Sequence, residues 1–180
     1  MKQSLMATLA ASLLLSTAVP VMSQPVTDPA VVNSELGVSV TTQDFITRAA
    51  IGGMFEIETS RLALDRAPDA ATKAFAQQMI SDHTKISDEL KKLITTEKLK
   101  AILPTELDTA HQEKLDRLKA LSGKHFSDAY HEVQVDAHEN AVALFKRYAT
   151  DGDVAALKTW AGSTLPMLEH HLKMAQELAK

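Results

Sequence analysis

Between residues 154 and 178, Leu157, Ala161, Thr164, Leu168, His171, Ala175 and Leu178 follow one another at steps of four and three. That is the period of one face of an α-helix, and it puts all of these residues on a single stripe. A strand would need alternation, and nothing of that kind runs through the segment. Pro166 lies inside the pattern. It cannot donate a backbone hydrogen bond to Gly162, yet the rhythm continues in register across it, so a kinked single helix is expected there.

The same reading applies to three earlier segments. The first starts near Thr42, a candidate N-cap, and carries Phe45, Ala49, Gly52, Glu56, Thr59 and Ala63 at helical steps up to Pro68. Gly52 and Gly53 beside Glu56 would permit close helix approach. Asp69 can cap a second helix, residues 70–97, whose stripe is Phe75, Met79, His83, Ile86, Leu90 and Leu93. Pro104 breaks the pattern over 98–108, and a shorter helix over 109–121 is expected to stop at Ser122-Gly123. A third long helix, residues 126–150, has Tyr130, Gln134, His138, Ala141 and Phe145 on one stripe, and Asp151-Gly152-Asp153 supplies its stop and the next cap. The expected fold is all-α: a four-helix bundle with a short extra helix in the connection between helices 2 and 3. Pattern leaves open whether the bundle runs up-down-up-down or carries a long crossover through 98–125.

Each long stripe contains one residue that does not belong in an apolar core: Glu56, His83, His138 and His171. Burying a carboxylate and three imidazoles is costly unless they are paired or bind something. Their distances along the helices put them at similar heights, within about a turn at 1.5 Å per residue. One Glu and three His form a four-coordinate set suited to a transition metal, with zinc or copper fitting the nitrogen-rich donors better than magnesium or calcium. Asp82, Tyr130 and Gln134 are the expected outer partners of that set. Glu139 and His170, each adjacent to a stripe residue, are about 100° round the helix and do not face the same target. His111, His125 and His131 lie off the stripes and read as solvated. The alternative is a metal-free polar core in which Glu56 pairs with protonated histidine or with Tyr130.

The ends and the composition narrow the setting. Lys2, an apolar run from Leu5 to Val19 and the small-residue pattern Val21-Met22-Ser23 read as a signal peptide cleaved after Ser23. The run is too short for a comfortable membrane span. Its removal takes away only Lys2, leaving 18 basic against 23 acidic residues. Residues 24–40, rich in Pro, Val, Ser and Thr, read as a flexible linker, and 41–180 as the helical domain. Expected localisation is periplasmic, with no membrane span once the signal is gone. The chain has no cysteine, which excludes disulfides, thiolate ligands and Cys nucleophiles. No basic patch interleaved with aromatics stands out, so nucleic acid is not an expected partner. Neither a nucleophile elbow nor a Gly-rich phosphate loop is present.

Several runs carry a resemblance. They are Phe45-(x)4-Ala50 with Glu56 and Leu62-Ala63, Phe75-Ala76-(x)2-Met79-(x)2-Asp82-His83, and Leu121-Ser122-Gly123-(x)2-Phe126-(x)3-Tyr130. Gln134-(x)3-His138 and Thr164-Leu165-Pro166-(x)4-His171-Leu172 complete the set. Over about residues 42–179 the chain resembles the exported bacterial "domain of unknown function 4142" family, which is classed with ferritin-like bundles. The resemblance implies a ferritin-like fold and periplasmic placement but no reaction. Its matched positions are Glu56, Asp82, His83, Tyr130, His138, Pro166 and His171. Di-iron ferritins use Glu-x-x-His twice. Here Ile80, Val135 and Leu168 stand three before the histidines, which disfavours ferroxidase chemistry and iron storage. The expected function is therefore a mononuclear metal-binding bundle of unsettled activity, leaning away from an enzyme. Two alternatives remain: a non-enzymatic envelope or stress protein with a metal-free polar core, and a metal-dependent oxidoreductase using Tyr130.

Overall fold

The structure, a computed structural model, describes residues 40–180. The signal and linker expectations fall outside the described residues, apart from residue 40. Among the described residues there are five helices and no strand: α1 (Val40–Arg66), α2 (Ala70–Thr96), α3 (Thr109–Lys119), α4 (Gly123–Asp151) and α5 (Ala155–Leu178). No helix among them is long and apolar enough to cross a membrane.

Local chemistry sets most boundaries. Asp69 accepts a hydrogen bond from the Thr72 backbone N at 2.7 Å and caps α2, as its position predicts. Asp108 caps α3 in the same way, through the His111 N–H at 2.8 Å. At the end of α2, Lys98 takes the left-handed conformation (φ 52°), Lys98 N bonds Thr95 O and Leu99 N bonds Ile94 O. This is a Schellman ending with lysine where glycine is usual. Three boundary expectations need correction. Thr42 is no cap, because α1 already begins at Val40; its hydroxyl meets Tyr148 Oη at 2.6 Å and also bonds Asp153. Asp153 is therefore tied to Thr42 rather than capping α5, whose N-cap is Val154. Ser122-Gly123 does not end α3, which stops at Lys119; Gly123, with φ 57°, opens α4. Helix α5 runs unbroken through Pro166.

The side-chain bonds fix the chain path. Three residues join α1 to α2 and three join α4 to α5, so each pair is antiparallel. The Gln43 amide brackets Ile102, donating to its carbonyl at 2.8 Å and accepting from its N–H at 2.9 Å. At the other end of α1, Arg66 donates to the Leu121 carbonyl at 2.9 Å and to that of Lys119. The connection 97–122 thus climbs the length of α1 before α4 starts. Ser60–Tyr130 (2.8 Å) and Thr42–Tyr148 (2.6 Å) make α4 antiparallel to α1. Glu89–Trp160 (3.0 Å) and Asp82–His171 (2.9 Å) do the same for α2 and α5. Helix α1 packs on α2 and α4, and α5 packs on α4 and α2.

Two apolar clusters form the core. One gathers Phe45, Leu90, Phe145, Tyr148, Leu157 and Trp160. The other gathers Phe75, Met79, Phe126, Tyr130 and Ala175. Glu56, His83, His138 and His171 fall between the two clusters on every long helix, forming a polar layer.

Candidate metal centre

Each helix brings one residue to this layer, and each is at most 3% exposed: Glu56 from α1, His83 from α2, His138 from α4 and His171 from α5. The three rings stand in a near-equilateral triangle. Their centroids are 5.5 Å (His83–His138), 5.4 Å (His83–His171) and 5.4 Å (His138–His171) apart. One ring nitrogen from each lies within 4.8 Å of the others, and these three buried histidines could hold a metal ion. Glu56 lies beside this three-histidine group: its Oε2 is 2.5 Å from His83 Nε2, and its Oε1 is 3.5 Å from His138 Nδ1, the ring nitrogen on the Gln134 side. The structure therefore brings together all four residues singled out in the sequence.

Five buried side-chain atoms lack a hydrogen-bond partner among the described residues: Glu56 Oε2, His83 Nε2, Gln134 Oε1, His138 Nε2 and His171 Nδ1. All belong to this layer or to Gln134 beside it. Two of these atoms, Glu56 Oε2 and His83 Nε2, lie 2.5 Å from each other in a buried ion-pair contact. Meanwhile the far sides of two rings are held. His138 Nδ1 donates to the Gln134 carbonyl at 2.9 Å. His171 Nε2 donates to Asp82 Oδ2 at 2.9 Å. Each bond places the ring proton on the outer nitrogen and leaves a lone pair on the inner, unpartnered one. This is the outer-partner arrangement that orients metal-ligating histidines. Tetrahedral zinc with Zn–N near 2.0 Å would set ligand nitrogens about 3.3 Å apart, so the rings would draw in modestly around an ion.

The electrostatics suit ligation at neutral pH. Burial pushes the Glu56 carboxyl up, but His138, His83 and His171 pull it down to about 2. Burial drives His138 below the usual histidine range despite the pull of Glu56. Burial, then repulsion from His83, takes His171 down to about 4 against the opposing pull of Asp82. The last two rings are thus deprotonated at pH 7, the form that binds metal.

Of the three expected outer partners, Asp82 bonds a layer histidine, but it is His171 across the α2–α5 interface and not its neighbour His83. The 100° between adjacent helical residues turns it that way. Gln134 contributes its backbone carbonyl, while its amide donates to Thr59 Oγ1 at 3.0 Å. Tyr130 is a correction. Its hydroxyl bonds Ser60 Oγ at 2.8 Å within the neighbouring apolar cluster and touches none of the histidines. Burial raises its pKa. His131 is a second correction: it is buried, with Nε2 2.7 Å from Thr72 Oγ1 at the start of α2. Its place beside Tyr130, one step off the stripe, gave no sign of this. His111 is half-buried on Asp108 (2.7 Å) and edge-on to Phe55, whereas His125 is exposed. Of the two glycines beside Glu56, only Gly53 makes a close approach: a Cβ there would meet Ser87 Oγ of α2 at 3.1 Å, while at Gly52 it would meet nothing within 4 Å.

Comparisons with known proteins agree with the resemblance read from the motifs. No curated protein and no solved structure matches the chain. The family model described as "Domain of unknown function (DUF4142)" matches residues 27–178. That span takes in all five helices and every residue of the polar layer, and the chain belongs to this family.

Proposed function

We propose that this protein is an exported, ferritin-like four-helix bundle that holds one transition-metal ion through His83, His138 and His171, with the Glu56 carboxylate as fourth donor. The observation that carries this reading is the concentration of buried, unpartnered donor atoms in one layer, with Gln134 and Asp82 holding the outer nitrogens of two rings. A donor set of three nitrogens and one oxygen favours zinc or copper. Four protein donors favour a structural or carrier role over catalysis. The ferritin-like assignment is supported by the single long connection, 97–122, between the parallel helices α2 and α4. Export is supported by the sequence pattern of residues 1–23.

The close approach of Glu56 to His83 favours one competing reading, an ion pair in a metal-free envelope or stress protein. The oxidoreductase alternative draws no support from Tyr130, whose hydroxyl is engaged with Ser60. Elemental analysis of untagged protein, purified from the exported compartment, separates the two readings. About one equivalent of zinc or copper per chain is expected. Less than about a tenth of an equivalent, unchanged after incubation with either metal and desalting, would leave the ion-pair reading.

A further inference from the structure

A cleft of about 330 Å³ reaches the polar layer between α1, α3 and α4. Glu56 and His83 line it; His138 and His171 do not. Inward its walls include Ile86, Leu144 and Leu168, and Gly52 on α1 leaves space where a side chain would stand. Exposed Arg48, 3.7 Å from Asp44, and half-exposed Lys114 also line it, and the acid Asp108 is tied to His111 at 2.7 Å.

We propose that this cleft admits a small monoanion that takes the fourth corner of the three-histidine site by displacing the Glu56 carboxylate. The proposal rests on the metal-binding reading. Three neutral imidazoles leave the full charge of a divalent ion, and a carboxylate offsets one unit of it. A monoanion at the corner offsets the second unit, because the displaced Glu56 carboxylate stays in the layer beside the ion; the site then becomes neutral and the exchange needs no proton. The direction of approach follows from the lining. Only the Glu56–His83 side of the layer faces the cleft, so the carboxylate is the donor an incoming ligand meets, and the two outer-held rings stay in place. Apolar inner walls offer no solvation to a large or multiply charged ion, while Lys114 favours negative charge in the cleft. The centre is then exchangeable, in contrast to a sealed structural site.

The test uses the full chain loaded with cobalt(II) and titrated with sodium azide, read by the visible absorption of the metal. The wild type should bind one cobalt and change its spectrum saturably with azide. Gly52→Leu fills the cleft at a position with open space, so it should bind cobalt equally well and melt no lower. It should need at least about tenfold more azide, equivalent to about 1.4 kcal/mol. Glu56→Gln, a weaker competitor for the corner, should need less azide than the wild type. A cobalt-loaded wild type indifferent to azide overturns the proposal while leaving the metal site standing. So does a Gly52→Leu response equal to that of the wild type. Failure to bind cobalt at all overturns the metal reading and this proposal with it.

Discussion

The apolar end around Phe45 and the polar layer around His138 lie on the same helices, yet they are stabilised in opposite ways. Phe45 stacks on Tyr148 with centroids 4.0 Å apart and meets Phe145 edge-on at 5.2 Å. Nothing in that end needs a ligand; burial of apolar surface is its own driving force. The layer brings four polar side chains into a comparable degree of burial and leaves donor atoms unpartnered. Unsatisfied buried polar groups cost about 1–3 kcal/mol each. On the metal-binding reading, the chain keeps this layer between two apolar clusters at the expense of stability.

Phe45→Ala should break the apolar end most severely, with a loss of about 3–5 kcal/mol of unfolding free energy in urea. The loss should be the same with and without added zinc. A loss that shrinks when zinc is added would mean that the two regions are not separate.

Acidification should act on the layer, and also on His131, which burial likewise holds below the usual histidine range. The ordinary histidine pKa is 6.5 and that of His171 in the fold is about 4. As pH falls the unfolded chain therefore takes up the proton first. The contribution of His171 is whole above pH 6.5 and is lost as pH falls toward 4, and His138 shifts in the same direction. Glu56, ordinarily 4.5 and here about 2, follows at lower pH: its contribution is whole above 4.5 and lost toward 2. Metal-free protein should show a falling urea midpoint between pH 7 and 4.5, and His171→Leu should flatten that fall. Equal pH slopes for the two proteins would refute this account of His171.

A finer probe is Asp82→Asn, which keeps the shape beside His171 Nε2 but removes the charge. Loss of an outer partner weakens metal affinity by about 10–100-fold, measurable by competition with a chelator. An unchanged affinity would make the Asp82–His171 contact purely structural. The smallest expected effect is at Gly52, where a Cβ meets nothing. Gly52→Ala should stabilise α1 by about 0.5–1 kcal/mol in thermal melts. A loss there would mean that α1 needs the glycine backbone beside the site.

The helices and the four layer residues were legible in sequence because a strict four-three rhythm makes a single misplaced Glu or His conspicuous. His83 stands out between Met79 and Ile86 for that reason alone. The chain path was not legible: it depends on Gln43 bracketing Ile102 and Arg66 reaching Leu121, contacts between residues more than fifty positions apart. Stripe position likewise misplaced Tyr130, which shares a helix face with His138 but lies about two turns away along the axis. It also hid the burial of His131. A stripe reports which side a residue faces, not which neighbouring helix end covers it.

The central claim is that the layer is a metal site and not a self-contained polar core. The most direct measurement is thermal melting of wild type, His138→Ala and His171→Ala at pH 7.5, with and without zinc or copper. An ion bound only by the folded state stabilises it by about 2.7 kcal/mol at a hundred times its dissociation constant. The account predicts a metal-dependent rise in Tm for the wild type that is absent in both variants. No rise in the wild type, or an equal rise in all three proteins, would contradict it.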